Sequence, residues 1–319
     1  MTTNTQTYND VNQNQLSTEA GECYQRAMLQ TLKDKVCFLP YGKAAMIPRN
    51  AGATTSWRVL TLPGLATTAI TEGTTPDGVD LSISKVSATV SQYGAWTKLS
   101  DYIDLVGLDP LLTDVAQMFG EHAALSIDKI IATVLSGTTN TMMAGGKANK
   151  AALTAEDTLT AADIIAARNK LVSNNVPMLR LPNGSMGYVA FTHPNCIKAL
   201  MSEANGPWAA FNGGTEGGLA AFQKGEIGQM YGIHFIETTT LGGFTDGGSG
   251  GLAGKNTVII GADAFGIPDI EGSSKPEILV FGEGNTENPM ALYKTVAWKA
   301  CFAAAILDEK KVLLLQSID

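Results

Sequence analysis

Positive charge is scarce in this chain. Its 22 Lys and Arg are outnumbered by 30 Asp and Glu, for a formal net charge of -8. Tight nucleic-acid binding draws on a basic stripe. None is present, which argues against nucleic-acid recognition as the main activity. The acidic balance instead suits a surface that must not adhere to nucleic acid. Histidine is limited to His122, His193 and His234, far apart and without metal-motif spacing. Cys23, Cys37, Cys196 and Cys301 form neither a metal-ligand pair nor a tight disulfide loop, so they read as buried thiols of a reducing compartment. The longest apolar stretches, such as 300–307, are far too short to span a bilayer. Residues 1–20 are rich in Asn, Gln and Thr, with no apolar run of the kind a signal peptide needs. Charged residues make up only 16% of the chain and hydrophobic ones 45%. A sizeable core is therefore expected, in two or three compact units by length.

What is present has a definite order. Residues 1–19 are polar and read as a flexible arm. Tyr24, Met28, Leu29 and Leu32 predict a short amphipathic helix over 22–35. Two extended stretches follow, 56–62 and 81–95, around an acidic, glycine-rich tip centred on Glu72-Gly73-Thr74-Thr75-Pro76-Asp77-Gly78. A projecting two-stranded arm is marginal in water alone and needs a surface to lie on. In the second stretch apolar residues fall at Leu81 and Ile83, then at Val86, Ala88 and Val90. That one-residue slip turns the apolar face over unless a bulge absorbs it. Spacing leaves two readings open: the proximal half covers its own domain and the distal half lies on a neighbour, or the whole is a plain twisted hairpin on its own domain.

Asp109-Pro110 is a helix start, with Asp as cap and Pro at the first helical position. A broad stripe of Leu111, Val115, Met118, Phe119, His122, Leu125, Ile130, Val134 and Leu135 then predicts a rod of roughly 40 Å ending at Gly137. Thr160 is expected to cap a second helix through Leu171. A hairpin is expected at 182–185, a helix over 195–203, a loose glycine-rich stretch at 213–219 and a flexible insertion over 241–255. Strands are expected at 233–237, 258–260, 278–281, within 292–307 and at 312–318. Helices and strands without regular alternation predict an α+β class.

Catalytic patterns fail on inspection. Gly247-Gly248-Ser249-Gly250-Gly251 matches a nucleophile elbow in spelling, but the elbow needs a strand before it and a helix after it. Gly254-Lys255 and Gly146-Lys147 lack the rest of a phosphate loop. His193-Pro194-Asn195 reads as helix-start chemistry, and Asn183-Gly184-Ser185 as a turn. The scattered Trp57, Trp96, Trp208 and Trp298 read as core or interface anchors, since no basic groove accompanies them. The expectation is no enzyme, no cofactor and no metal.

The order of parts resembles the major capsid protein of tailed bacteriophages. It is similar to the capsid family grouped around short-tailed phages with large virion polymerases. The residues that carry the likeness are Ile70-Thr71-Glu72-Gly73-Thr74-Thr75-Pro76 at the tip, Tyr93-Gly94-Ala95-Trp96 with Leu99-Ser100-Asp101 in the return, and Gly225-Glu226-Ile227-Gly228 running to 232–238. The resemblance implies an N-terminal arm at 1–50, an extended loop at 51–98 and a peripheral domain with the spine helix at 99–150. It further implies an axial domain at 151–261 and peripheral C-terminal strands at 262–319. It implies hexamers and pentamers of identical copies in an icosahedral shell around double-stranded DNA, with portal, scaffolding and decoration proteins as partners and no membrane. The virion is the implied location, after assembly in the host bacterial cytoplasm. The implied inter-subunit residues are Ile70, Glu72, Gly73, Thr74, Pro76 and Asp77. Some capsids of this fold weld a loop Lys to a neighbour's Asn. Lys85, Asn285 and Asn288 are the residues available for that, although a Lys within a strand reads as solvated. The alternatives are a cellular nanocompartment shell of the same fold and a hydrolase using Ser249.

Overall fold

The computed structural model describes residues 36–60, 63–65, 67, 69, 72–73, 75, 78–102, 111–181, 184–202, 208, 226–248, 250–270, 275–281, 289–290 and 292–319. The expected arm over 1–19, the helix over 22–35, the Asp109-Pro110 start and the stretch 213–219 lie outside these residues.

In chain order the elements are strands β1 (Lys43–Ile47), β2 (Thr54–Leu60), β3 (Ile83–Thr89) and β4 (Ser91–Ser100), then helix α1 (Leu111–Ser136) and strand β5 (Thr141–Met143). Helix α2 (Ala161–Ser173), strands β6 (Leu179–Arg180) and β7 (Met186–Thr192) and helix α3 (Pro194–Ser202) come next. Strands β8 (Glu226–Met230), β9 (Ile233–Glu237), β10 (Gly243–Gly247), β11 (Leu252–Ile260) and β12 (Phe265–Ile270) follow. Strands β13 (Glu277–Phe281), β14 (Tyr293–Phe302), β15 (Ala305–Ile306) and β16 (Val312–Ile318) complete the order.

The centre is a mixed sheet in the order β5-β16-β11-β7-β9-β8, with β10 added to β11 and β6 to β7. Alternation along its strands sorts side chains into two cores. Val189, Phe191, Val258, Ile260, Val312 and Leu314 pack with α1 and the sheet β13-β14-β4. Tyr188, Ala190, Ile259, Leu313 and Leu315 pack on the opposite face with α2 and α3. Strands covered on both faces read as unbroken apolar runs, which is why 312–318 stands out in the sequence.

Helix α1 runs 26 residues, a rod of about 39 Å at ~1.5 Å per residue. Its buried face is narrower and richer in small residues than the sequence stripe suggests. Ala116, Phe119, Ala123, Ala124, Ile127, Ile131, Ala132 and Leu135 are buried, whereas Met118 and Leu125 are about half exposed. The small residues let the helix lie close to the sheets, and hydropathy alone underweights them. Asp128 faces inward from α1 and accepts hydrogen bonds from the backbone N–H groups of Cys37 (2.8 Å) and Phe38 (3.4 Å). Burial pushes its carboxyl up to about 6, against the lowering effect of those two N–H groups. This clamp seats Phe38, whose ring stacks on Phe191 at 4.1 Å.

Thr160 caps α2, as the sequence predicts, and the structure adds a full capping box with Asp163. Helix α3 starts behind His193, whose Nδ1 accepts from the Asn195 N–H at 3.3 Å. The stretch expected as a flexible insertion is instead the β10–β11 hairpin. Its glycines mark close packing and a tight turn. A Cβ on Gly254 would sit 2.2 Å from the Phe244 ring, and Gly248 and Gly251 have positive φ.

Candidate assembly interface

Strands β2 and β3 form an antiparallel pair of their own, a two-stranded sheet joined to no other among the described residues. Register runs unbroken from Thr54↔Thr89 through Trp57↔Val86 and Arg58↔Lys85 to Leu60↔Ile83. No bulge absorbs the slip in apolar phase, so the apolar set changes face along the arm. One face carries Thr55, Trp57, Val59, Val86 and Ala88, all half-buried or buried. It packs with Ile47, Val90, Ile270, Cys301, Ala303 and Ala305 of the body. Trp57 lies so close to Gly266 that a Cβ there would come within 2.6 Å of the indole. Only glycine permits this seat.

The other face carries Thr54, Ser56, Arg58 and Leu60, opposite Thr89, Ser87, Lys85 and Ile83, and every one of these is exposed. Leu60 is 67% exposed and Ile83 58%. Beyond the strands Leu65, Val79 and Leu81 are 79%, 60% and 68% exposed. Among the described residues the arm is therefore seated at its root and bare beyond it. Of the tip residues expected to carry an inter-subunit contact, Glu72 and Gly73 sit in an exposed turn, with Gly73 at φ +79. Ile70, Thr74, Pro76 and Asp77 lie outside the described residues. Lys85 is exposed within β3, and Asn285 and Asn288 lie outside the described residues.

A second surface escaped the sequence reading. On the outer face of the β13-β14-β4 sheet, the Lys98 ammonium lies 5.5 Å from the Trp96 ring centroid and 4.4 Å from that of Tyr293. Trp96 is 63% exposed. Spacing gave one signal, Trp96 and Lys98 at i and i+2 on one face of a strand. Their stacking partner, however, is distant in sequence. On the inner face, Trp298 Nε1 donates to His122 Nδ1 at 3.1 Å and ties α1 to this sheet.

Nothing described here assembles a catalytic centre. The Gly247–Gly251 stretch turns β10 into antiparallel β11, so no helix follows as an elbow requires; Ser249 itself lies outside the described residues. Among the described residues no group of three or more His, Cys, Asp and Glu side chains is placed to hold a metal. No described helix is long and apolar enough to cross a membrane. An open hollow is bounded by Pro194, Ile197, Met201 and Ile227, with Lys198, Ser202 and Glu237 at its rim; the Ser202 hydroxyl donates to the Ala199 carbonyl at 3.1 Å rather than to a base.

Comparison with known proteins agrees with a scaffold role. The profile of the family described as phage capsid protein matches residues 83–314. No curated protein sequence matches the chain. Among solved structures, the capsid of Ralstonia phage GP4 superposes with a TM-score of 0.72 at 15% identity, covering 89% of this chain and 91% of that one. The capsid of cyanophage Pam1 gives 0.66 at 14% identity, over 88% and 91%. A virus-like particle from Pyrococcus furiosus gives 0.54 at 10% identity, over 93% and 100%.

Proposed function

This chain belongs to the phage capsid protein family, and on that premise we propose that its copies close a shell by laying each extended arm on a neighbouring subunit. It has the tailed-phage major capsid fold and is a structural protein of a viral shell. Hexamers and pentamers around double-stranded DNA are the arrangement we assign to it, with residues 51–98 as the extended loop. We place the peripheral domain at 99–150 and 262–319, and the axial domain at 151–261. The tip residues Ile70, Glu72, Gly73, Thr74, Pro76 and Asp77 are the proposed far end of the contact. Portal, scaffolding and decoration proteins, and assembly in the host cytoplasm, belong to the same proposal.

The observation that carries it is the split of the arm. Its root is packed on the body through Trp57 and Ala88, while Leu60, Leu65, Val79, Leu81 and Ile83 are left in water. A row of exposed large apolar groups on a two-stranded arm is unfavourable in a monomer and marks an interaction surface. Laid on a neighbour, such an arm adds hundreds of Å² per subunit, repeated around every ring. The family match favours a virion over a cellular nanocompartment.

Deleting Leu65 to Gly78 tests the reading. Subunits should stay soluble and folded by circular dichroism, yet fail to form closed shells in negative-stain micrographs. Normal shells from the deleted chain would refute the arm's reach across subunits.

A further inference from the structure

Resting on the reading that the arm lies on a second copy, we infer that its exposed face docks on a carboxylate-bearing surface of that copy through Arg58 and Lys85, flanked by Leu60 and Ile83. Three observations lead there. First, Arg58 and Lys85 are directly opposite in the β2–β3 register, on the exposed face. Directly opposed residues have Cβ atoms about 5 Å apart, and like charges at that spacing destabilise a strand pair. Neither has an ion-pair partner among the described residues, although exposed Lys43 and Lys299 do, with Asp263 and Glu277. An isolated hairpin gains nothing from this arrangement. A surface that meets fixed negative charge does, because the two cations then share carboxylates and their repulsion is offset.

Second, the next rung on the same face is Leu60↔Ile83, an apolar pair more than half exposed. A charged pair beside an apolar pair has the composition of a protein–protein contact, with an apolar anchor next to a polar edge. Third, the chain itself carries the complementary charge. Its formal net charge is -8, so a copy is a ready source of carboxylates.

A nucleic-acid backbone is the competing occupant, and the local sequence disfavours it. From Val59 to Ser84 there is no Lys or Arg, while Glu72, Asp77 and Asp80 lie in that stretch. A phosphate track needs several cations along its path. Here two cations stand at the base of an acidic tip.

The decisive experiment uses the full-length chain with the double reversal Arg58→Glu/Lys85→Glu. Fold is checked by circular dichroism and thermal melting, and assembly by sedimentation velocity and electron microscopy. The reversed chain should fold as wild type and need at least about tenfold more protein to assemble, since a weakened contact recurs at every subunit. Raising salt on the wild type should shift assembly in the same direction. If the reversed chain misfolds, the neutral pair Arg58→Gln/Lys85→Gln replaces it. It should give a smaller shift of the same sign, and no shift would overturn the inference.

A zero-length carbodiimide adds a direct readout. In shells mixed from isotopically heavy and light copies, Lys85 should join to carboxylates of the other isotope, and these links should be missing from unassembled subunits. Wild-type assembly by the reversed chain, or Lys85 links within one copy only, would overturn the inference. Intact assembly with loss of retained duplex DNA would assign this face to nucleic acid and overturn it as well. The Leu65 to Gly78 deletion separates the two levels. If the deleted chain assembles, the arm reading fails. If it does not, while the reversed chain assembles normally, only the charge inference fails.

Discussion

Strands β16 and β3 are both seven residues long, and their burial is opposite. Every position of β16 is buried, whereas β3 buries one and half-buries another. The reason is the number of neighbours. β16 lies between β11 and β5 and is covered on both faces, while β3 has β2 alone and one face against the body. Composition follows placement, since Val-Leu-Leu-Leu in β16 has no counterpart in Ile-Ser-Lys-Val-Ser-Ala-Thr. The lesson is that the body completes its own core and the arm does not. Among the described residues, nothing in the subunit covers the apolar side chains on the arm's bare face, which is the ground for proposing a neighbour there.

The sharpest way to break that contrast is to damage the body. Phe191 is fully buried, with Phe38 tilted against its ring and Tyr41 meeting it edge-on. Phe191→Ala should destabilise the subunit by about 3–5 kcal/mol in denaturant titration, with shell formation lost as a consequence.

The Asp128 clamp gives the next largest effect. Its carboxyl, pushed up to about 6 by burial, binds a proton more tightly in the folded chain than in the unfolded one, where an aspartate titrates near ~4. Its stabilising contribution is thus fully present below pH ~4 and is lost as pH rises through about 6. Two pKa units correspond to about 3 kcal/mol. The stability of the wild type relative to Asp128→Asn should therefore fall by up to that amount across this window, then stay level. Thermal melts of both proteins at a series of pH values would check it, and a flat difference would refute it.

The smallest effect on the subunit belongs to the arm. Leu60→Ser should change subunit stability by less than about 0.5 kcal/mol, yet weaken shell assembly measured by sedimentation. A clear loss of subunit stability would mean that Leu60 is covered by its own chain.

Elements built from local signals were legible in the sequence. The Thr160 cap, the glycine turn before β7, the apolar run of β16 and the length of α1 needed only near neighbours. Two strands that rest on each other across the chain, β1 and β12, were not. β1 pairs in parallel with β12, and Pro268 inside β12 argues against a strand when read alone. In the fold it is tolerated where β15 reaches only Phe265 and Gly266. The glycines of 243–254 were misread as looseness because their role, backbone approach under Phe244, depends on a partner strand. At the interface, the change of apolar phase was visible in the sequence. The opposition of Arg58 and Lys85 was not, because it depends on the β2–β3 register.

The pairings of β1 with β12 and of β4 with β14 have a consequence for timing. Lys43 meets Gly266, and Ser91 meets Phe302. A chain emerging from the ribosome has nowhere to seat the arm's root until these late strands have been made. Contacts of such long range also form slowly. Truncated products of translation would thus lack the platform on which the arm is mounted, and incomplete chains would be poor building material for a lattice that accepts only finished parts.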